Sequence, residues 1–216
     1  MDWDWNAVGD FMPRFWDGVL VTLQALVLGS LIAFGLGLVW ALAQRSPLKA
    51  VRWPVTIVTE FIRNTPLLVQ LFFLYFVLPE WDITFSALTT GIIGLGLHYS
   101  TYTAEVYRAG IDGVPAGQWE ACTALSLPRT RVWGAVILPQ AIRRVVPALG
   151  NYVIAMLKDS PMLATIGALE MLGEARQFSA ETFQPTEPIT VIGIAFILIA
   201  YPASLLTRAL ERRLVR

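Results

Sequence analysis

Apolar residues do not alternate with polar ones along this chain. They run together in blocks of about 20, the length a helix needs to cross the hydrocarbon core of a bilayer. A window of about 19 residues predicts five spans. The first, Val19–Ala43, contains no charge. The second, Val55–Leu78, is apolar except for Glu60 and Arg63 near its start, and Thr65-Pro66 predicts a kink in it. The third, Ile83–Tyr107, includes His98 and Glu105. The fourth, Trp133–Leu157, is interrupted by Pro139, the pair Arg143 and Arg144, and Pro147. The fifth, Ile189–Leu206, carries Pro202 near its exit. The pattern predicts an all-α integral membrane protein, a single transmembrane domain over residues 1–216. No internal repeat or separate soluble domain is visible.

Charge sets the expected orientation. Arg45, Lys49 and Arg52 follow the first span without an acid between Gln44 and Thr56, whereas Glu80 and Asp82 follow the second without a base. Arg108, Arg129 and Arg131 come after the third span, and Arg208, Arg212, Arg213 and Arg216 after the fifth. The N-terminal segment and the segment from Asp159 to Glu187 are mostly acidic. The positive-inside bias therefore puts the N-terminus outside and the C-terminus inside. Trp16, Trp40, Trp53 and Trp81 sit at predicted span ends, as interfacial anchors do. Asp2, Asp4 and Asp10 stand where the basic region of a signal peptide would be, so none is expected.

Composition narrows the function classes. Of 216 residues, 56% are hydrophobic and 15% charged, against roughly 25% charged in an ordinary soluble domain. That much apolar surface exceeds what one water-soluble core could hide, and it excludes disorder. One cysteine, Cys122, excludes an internal disulfide framework and a thiolate-rich metal site; one histidine, His98, argues against a histidine zinc centre. A formal net charge of zero gives no field that would attract nucleic acid.

The loop after the third span is the most informative. Gly113 ends a helix and Pro115 suits the first turn of the next, so a short cytoplasmic helix is expected over Ala116–Leu127, closed by Pro128. Ala121 and Ala124 share a face small enough for another backbone to approach, with Glu120 beside them. Helix physics alone allows an interfacial amphipathic turn. Glu120-Ala121-Cys122, Ser126 and Val136-Ile137-Leu138-Pro139 resemble the EAA loop of ABC importer permeases: Glu-Ala-Ala, three residues, Gly, nine residues, Ile-x-Leu-Pro. Cys122, Ser126 and Val136 depart from it while the spacing is intact. Glu60-Phe-Ile-Arg-Asn-Thr-Pro-Leu-Leu-Val-Gln70, Val114-Pro-Ala-Gly-Gln-Trp-Glu120 and Leu157-Lys-Asp-Ser160 resemble the polar amino acid branch, within which the nearest likeness is to ectoine and hydroxyectoine permeases.

The resemblance implies two permease subunits, identical or similar, around a pore in membrane lipid. It also implies a pair of cytoplasmic ATPase subunits and an extracytoplasmic solute-binding protein, with no cofactor. The short helix, with Gly117, Glu120, Ala121, Ala124 and Ser126, would be the coupling helix that docks on the ATPase. The chain independently lacks a phosphate loop: Lys49 precedes Ala50 and Lys158 precedes Asp159, neither in a Gly-x-x-x-x-Gly-Lys-Ser/Thr setting. ATP hydrolysis is therefore expected on another subunit.

Polar groups at membrane depth are costly and face a cavity or a partner. His98, Thr101, Glu105 and Arg108 fall at helical spacing on one stripe. The stripe serves either a solute path or a polar network between helices. Asn151 and Lys158, seven apart, share a face of the fourth span. Lys158 either snorkels at a helix end or meets a solute carboxylate while Glu105 meets its cation, an arrangement suited to an amino acid or an ectoine-like zwitterion. Glu60 and Arg63, three apart, are expected to pair with each other. Gly29, Gly35, Gly37, Gly91, Gly94 and Gly96 are expected at close helix contacts. A secondary transporter is the alternative class, though inverted repeats are not visible; a membrane enzyme lacks a nucleophile with its base.

Overall fold

The computed structural model describes residues 3–214, and no strand occurs among them. Asp2 and Arg216, which entered the charge argument, lie outside the described residues. The helices are α1 (Trp5–Gln44), α2 (Lys49–Asn64), α3 (Leu67–Phe72), α4 (Ala87–Asp112), α5 (Ala116–Ala124), α6 (Arg129–Arg131), α7 (Leu138–Asp159), α8 (Met171–Thr182) and α9 (Thr186–Leu214).

Helix α1 begins well before the expected Val19. The Asp4 carboxylate accepts from the Asn6 amide at 2.8 Å and caps it. A hydropathy window misses this first stretch because Asp10, Arg14 and Asp17 alternate with the residues that pack. Its apolar side meets α8 and α9 through Phe11, Met171, Ala175, Phe178 and Ile192.

The expected second span is broken rather than kinked. The stretches Lys49–Asn64 and Leu67–Trp81 meet at 102° across Thr65-Pro66. Beyond α3 the chain passes through a π-helical segment, Phe73–Val77, and a 3₁₀ turn, Leu78–Trp81. A second π segment, Val132–Ile137, lies between α6 and α7. Both π segments run up to a proline, Pro79 and Pro139. A proline has no N–H to give the carbonyl four residues back, and its ring crowds that carbonyl, so a wider turn relieves both problems.

Among the described residues, three stretches are long and apolar enough to cross a membrane: Trp5–Gln44, Arg129–Ile166 and Thr186–Leu214. The bent pair makes a fourth if it is one span. Helix α4, the expected third span, is long enough at 26 residues, about 39 Å at 1.5 Å per residue. Its His98, Ser100, Thr101, Thr103 and Glu105 reduce its apolar content. It can carry them because it occupies the middle of the molecule, packed along α1 and flanked by α7, α2 and α3. The core there gathers Ala25, Ala33, Leu71, Leu95, Tyr99, Met156 and Leu163.

Glycines let α1 and α4 approach. A Cβ on Gly37 would stand 2.0 Å from Thr103 Oγ1, and one on Gly96 2.6 Å from Ile32 Cγ2. Gly29, Gly91 and Gly94 are likewise crowded. Gly35 is a correction to the sequence reading: nothing lies within 4 Å of where its Cβ would be.

The acidic segment after α7 is ordered. It turns through a 3₁₀ stretch, Ser160–Ile166, into α8, whose first turn is capped by buried Glu170. Glu170 accepts from the Leu172 and Gly173 amides at 3.0 and 2.8 Å. Burial pushes its carboxyl up to about 7.

Candidate functional site

The residues singled out in the sequence fall in two main places, with Asn151 and Lys158 apart from both on α7. The first is the stripe on α4. His98 and Thr101 are buried, and the Thr101 hydroxyl is turned back onto the His98 carbonyl at 2.8 Å. Glu105 is half exposed, and its Oε1 lies 3.2 Å from Arg63 Nη1 of α2 and 3.1 Å from Arg108 Nη1. Its Oε2 has no hydrogen-bond or ion-pair partner among the described residues. Arg63 also pairs with Glu60, as the spacing predicted. Arg108 Nη1 donates to Gln44 Oε1 at 3.2 Å, and Gln44 Nε2 donates to Thr59 Oγ1 at 2.8 Å. Glu60, Arg63, Glu105 and Arg108 thus form a charge-balanced cluster joining α2, α4 and the end of α1.

Several neighbours of the stripe were not foreseen. Tyr99 and Tyr102 pack against His98, and Tyr152 packs against both tyrosines, with His98–Tyr102 and Tyr102–Tyr152 ring centroids 5.2 and 5.8 Å apart. Tyr99 donates to Asp159 Oδ2 at 2.6 Å and so ties α4 to the end of α7. Gln70 Nε2 donates to the Ile62 and Thr65 carbonyls at 2.6 and 3.0 Å and lies 3.2 Å from His98 Nδ1. The run of His98 with Tyr99 and Tyr102 on one helix was the signal available for the aromatic part. The role of Gln70 could not be seen before the break was known.

Asn151 and Lys158 are exposed on α7. Lys158 lies in a groove with Tyr201, Ser204 and Arg208 of α9. It makes no ion pair with Glu105, whose charge is met by Arg63 and Arg108 instead.

The second place is α5. Pro115 starts it, and Leu125 and Ser126 end it sooner than the expected Leu127. Ser126 takes a left-handed backbone, φ 49°. Cys122 is buried, and Trp119 and Trp133 pack over Ile111, Val114, Ile137 and Ala141. Gly117, Glu120, Ala121, Ala124 and Ser126 are all exposed on the other side. An ion pair between Arg45 and Asp112 joins the ends of α1 and α4 beside this helix. The arrangement is a short helix fixed from beneath that presents a small-residue face with one carboxylate. No group of three or more His, Cys, Asp or Glu residues able to hold a metal occurs among the described residues.

The family model for the binding-protein-dependent transport system inner membrane component matches residues 33–216. The chain belongs to this family. It is a multi-pass permease component of the inner membrane. The permease is 44% identical over 200 residues to a Sinorhizobium fredii protein named "Probable amino-acid ABC transporter permease protein"; the match covers 93% of this chain and 87% of that one. It is 34% identical over 217 residues to the L-cystine transport system permease protein of Bacillus subtilis, covering 98% and 92%. It also superposes on a chain of a solved amino acid ABC transporter with histidines: TM-score 0.93, 34% identity, covering 99% of this permease and 100% of that chain.

Proposed function

We propose that this permease is the translocation subunit of an ATP-driven importer of a polar amino acid. The full-length likeness to a chain of a solved amino acid ABC transporter carries the reading. In this reading α4 and the bent α2–α3 pair complete five spans, with the N-terminus outside and the C-terminus inside. A second permease, identical or similar, completes the pore; an extracytoplasmic binding protein delivers solute; a cytoplasmic ATPase pair supplies the energy.

The outward face of α5 is the coupling surface. Trp119 and Cys122 hold the helix to the body, leaving Gly117, Ala121, Ala124 and Ser126 for a partner's backbone to approach and Glu120 for a partner's donor. The solute path runs by α4 and α7. Glu105 Oε2 is open to a solute ammonium, and exposed Lys158 and Asn151 offer a charge and an amide to its carboxylate. Buried His98 and Thr101 shape the wall behind. Such a pair of opposite charges suits any zwitterion, so ectoine and hydroxyectoine belong in the test beside amino acids.

The experiment is uptake by proteoliposomes holding the permease, its ATPase and its binding protein. ATP-dependent uptake of one amino acid is expected, and Ala121→Trp should abolish co-purification with the ATPase by volume alone. Uptake without the ATPase, driven by an ion gradient, would overturn the reading.

A further inference from the structure

Helix α2 is attached to the molecule in an unusual way. Of its 16 residues Thr59 is the one buried, while Trp53, Ile57 and Phe61 are exposed over 60% of their surface. Within this subunit little apolar packing therefore holds it. Its far end is the 102° break at Thr65-Pro66. Pro66 has no N–H to give the Ile62 carbonyl, which accepts instead from the Thr65 amide at 3.2 Å and from Gln70 Nε2 at 2.6 Å; Gln70 also donates to the Thr65 carbonyl at 3.0 Å. These bonds join α3 to the last turn of α2 at Ile62 and Thr65, so the pivot is confined to the few residues of the break. A few residues at an element end that can absorb a change in backbone angle are what a hinge requires.

What fastens α2 is polar. Arg63 reaches Glu105 Oε1 on α4 at 3.2 Å, and Thr59 meets Gln44 of α1 at 2.8 Å. Gln44 and Glu105 are bridged by one atom, Arg108 Nη1, at 3.2 and 3.1 Å. Tyr102 adds a longer bond to the Arg63 carbonyl at 3.4 Å. The fastening is thus a single connected chain of side chains across three helices. Such a network can take two discrete arrangements, made and unmade.

We propose that α2 is an arm hinged at Thr65-Pro66 and latched by Glu105, and that the latch opens during each transport cycle. Glu105 is its positioning residue. The proposal rests on the permease reading and adds how solute is sensed. A cation arriving at the open Oε2 competes with Arg63 and Arg108 for one carboxylate and loosens α2. The arm starts at Lys49, a short connection from the Arg45–Asp112 pair beside α5, so its release is felt at the coupling helix.

The test locks the arm. In a Cys122→Ser background, Gln44→Cys and Thr59→Cys place two thiols where the side chains now touch, and a short cleavable bifunctional thiol reagent bridges them. The assembled transporter, with ATPase and binding protein in proteoliposomes, is assayed for solute-stimulated ATP hydrolysis. Cross-linking should remove the stimulation, and reductive cleavage of the bridge should restore it. Adding Glu105→Gln should lower the cross-linking yield of the resting protein severalfold. Undiminished stimulation in the bridged protein overturns the proposal. So does a resting protein in which the pair does not cross-link, or a yield indifferent to Glu105→Gln. Absence of stimulation in the unsubstituted transporter would sink the permease reading itself.

Discussion

Trp119 of α5 meets Trp133 edge-on, with ring centroids 5.4 Å apart and planes at 80°. The contact decides which side of α5 faces outward, since it lies on the same side as buried Cys122. Such a pair contributes about 0.5–1.5 kcal/mol beyond its buried area. Trp133→Ala should therefore let α5 lift more often, and Cys122 reports the lifting. Its labelling by a maleimide should quicken several-fold to about tenfold, since 1.4 kcal/mol is a factor of 10. An unchanged rate would mean that α5 is held elsewhere.

Ser126 sits at φ 49°, in the left-handed region, just past the end of α5. That conformation costs a residue with a Cβ roughly 1–2 kcal/mol and a glycine almost nothing. The motif that this loop resembles has glycine at this position. Ser126→Gly should raise stability by roughly 1 kcal/mol, less the entropy a glycine gains on unfolding. Ser126→Val should lower it and disturb α5. Thermal unfolding of the three proteins in one detergent checks the order Gly, Ser, Val; any other order means that the turn is set by something other than local backbone strain.

The division between what the sequence told and what it hid follows from the range of each interaction. Apolar blocks located the stretches that became α1, α7 and α9, and the three-residue spacing of Glu60 and Arg63 foretold their pair. Pro66 announced a break but not its 102°, because the angle depends on what α2 and α3 pack against. The bond from Arg63 to Glu105 joins α2 to α4 and was invisible beforehand. Helix α8 was missed for another reason: its sequence is polar and acidic, and its start rests on a buried glutamate cap rather than on hydrophobic period. The site splits the same way. The α4 stripe was legible at helical spacing, whereas Gln70 gains its role from the Ile62 and Thr65 carbonyls that the break turns toward it.

Glu170 makes stability depend on pH. Its carboxyl is raised from an ordinary 4.5 to about 7, chiefly by burial, with the two amide bonds pulling the other way. A raised acid binds its proton more tightly when folded than when unfolded. Its contribution is therefore complete below about 4.5 and is lost as pH rises through about 7, a change on the order of a few kcal/mol. Glu170→Gln keeps an acceptor for the cap and removes the titration. The variant should melt close to the parent near pH 5 and above it near pH 8, so the gap in melting temperature should widen across that interval. A constant gap would show that Glu170 keeps an ordinary carboxyl.

Two glycines of α1, two residues apart, should respond with opposite sign to the same change. A Cβ on Gly37 would fall 2.0 Å from Thr103 Oγ1, 2.8 Å from the Ser100 carbonyl oxygen and 3.1 Å from the Ala104 nitrogen. Two of those atoms are backbone of α4 and cannot turn aside. Thr103 cannot rotate freely either, because its hydroxyl donates to the Ala33 carbonyl at 2.7 Å and is part of what joins the helices. Gly37→Ala must then push α1 and α4 apart, which costs about 1–3 kcal/mol in a packed interface and loosens the central helix pair. At Gly35 nothing lies within 4 Å of the new carbon. Alanine there meets no obstacle and brings its better helix propensity, up to about 1 kcal/mol. Thermal unfolding of both variants against the parent, in the same detergent, should give a lower midpoint for Gly37→Ala and an equal or higher one for Gly35→Ala. If the two shift alike, the close approach of α1 and α4 at Gly37 does not hold the fold.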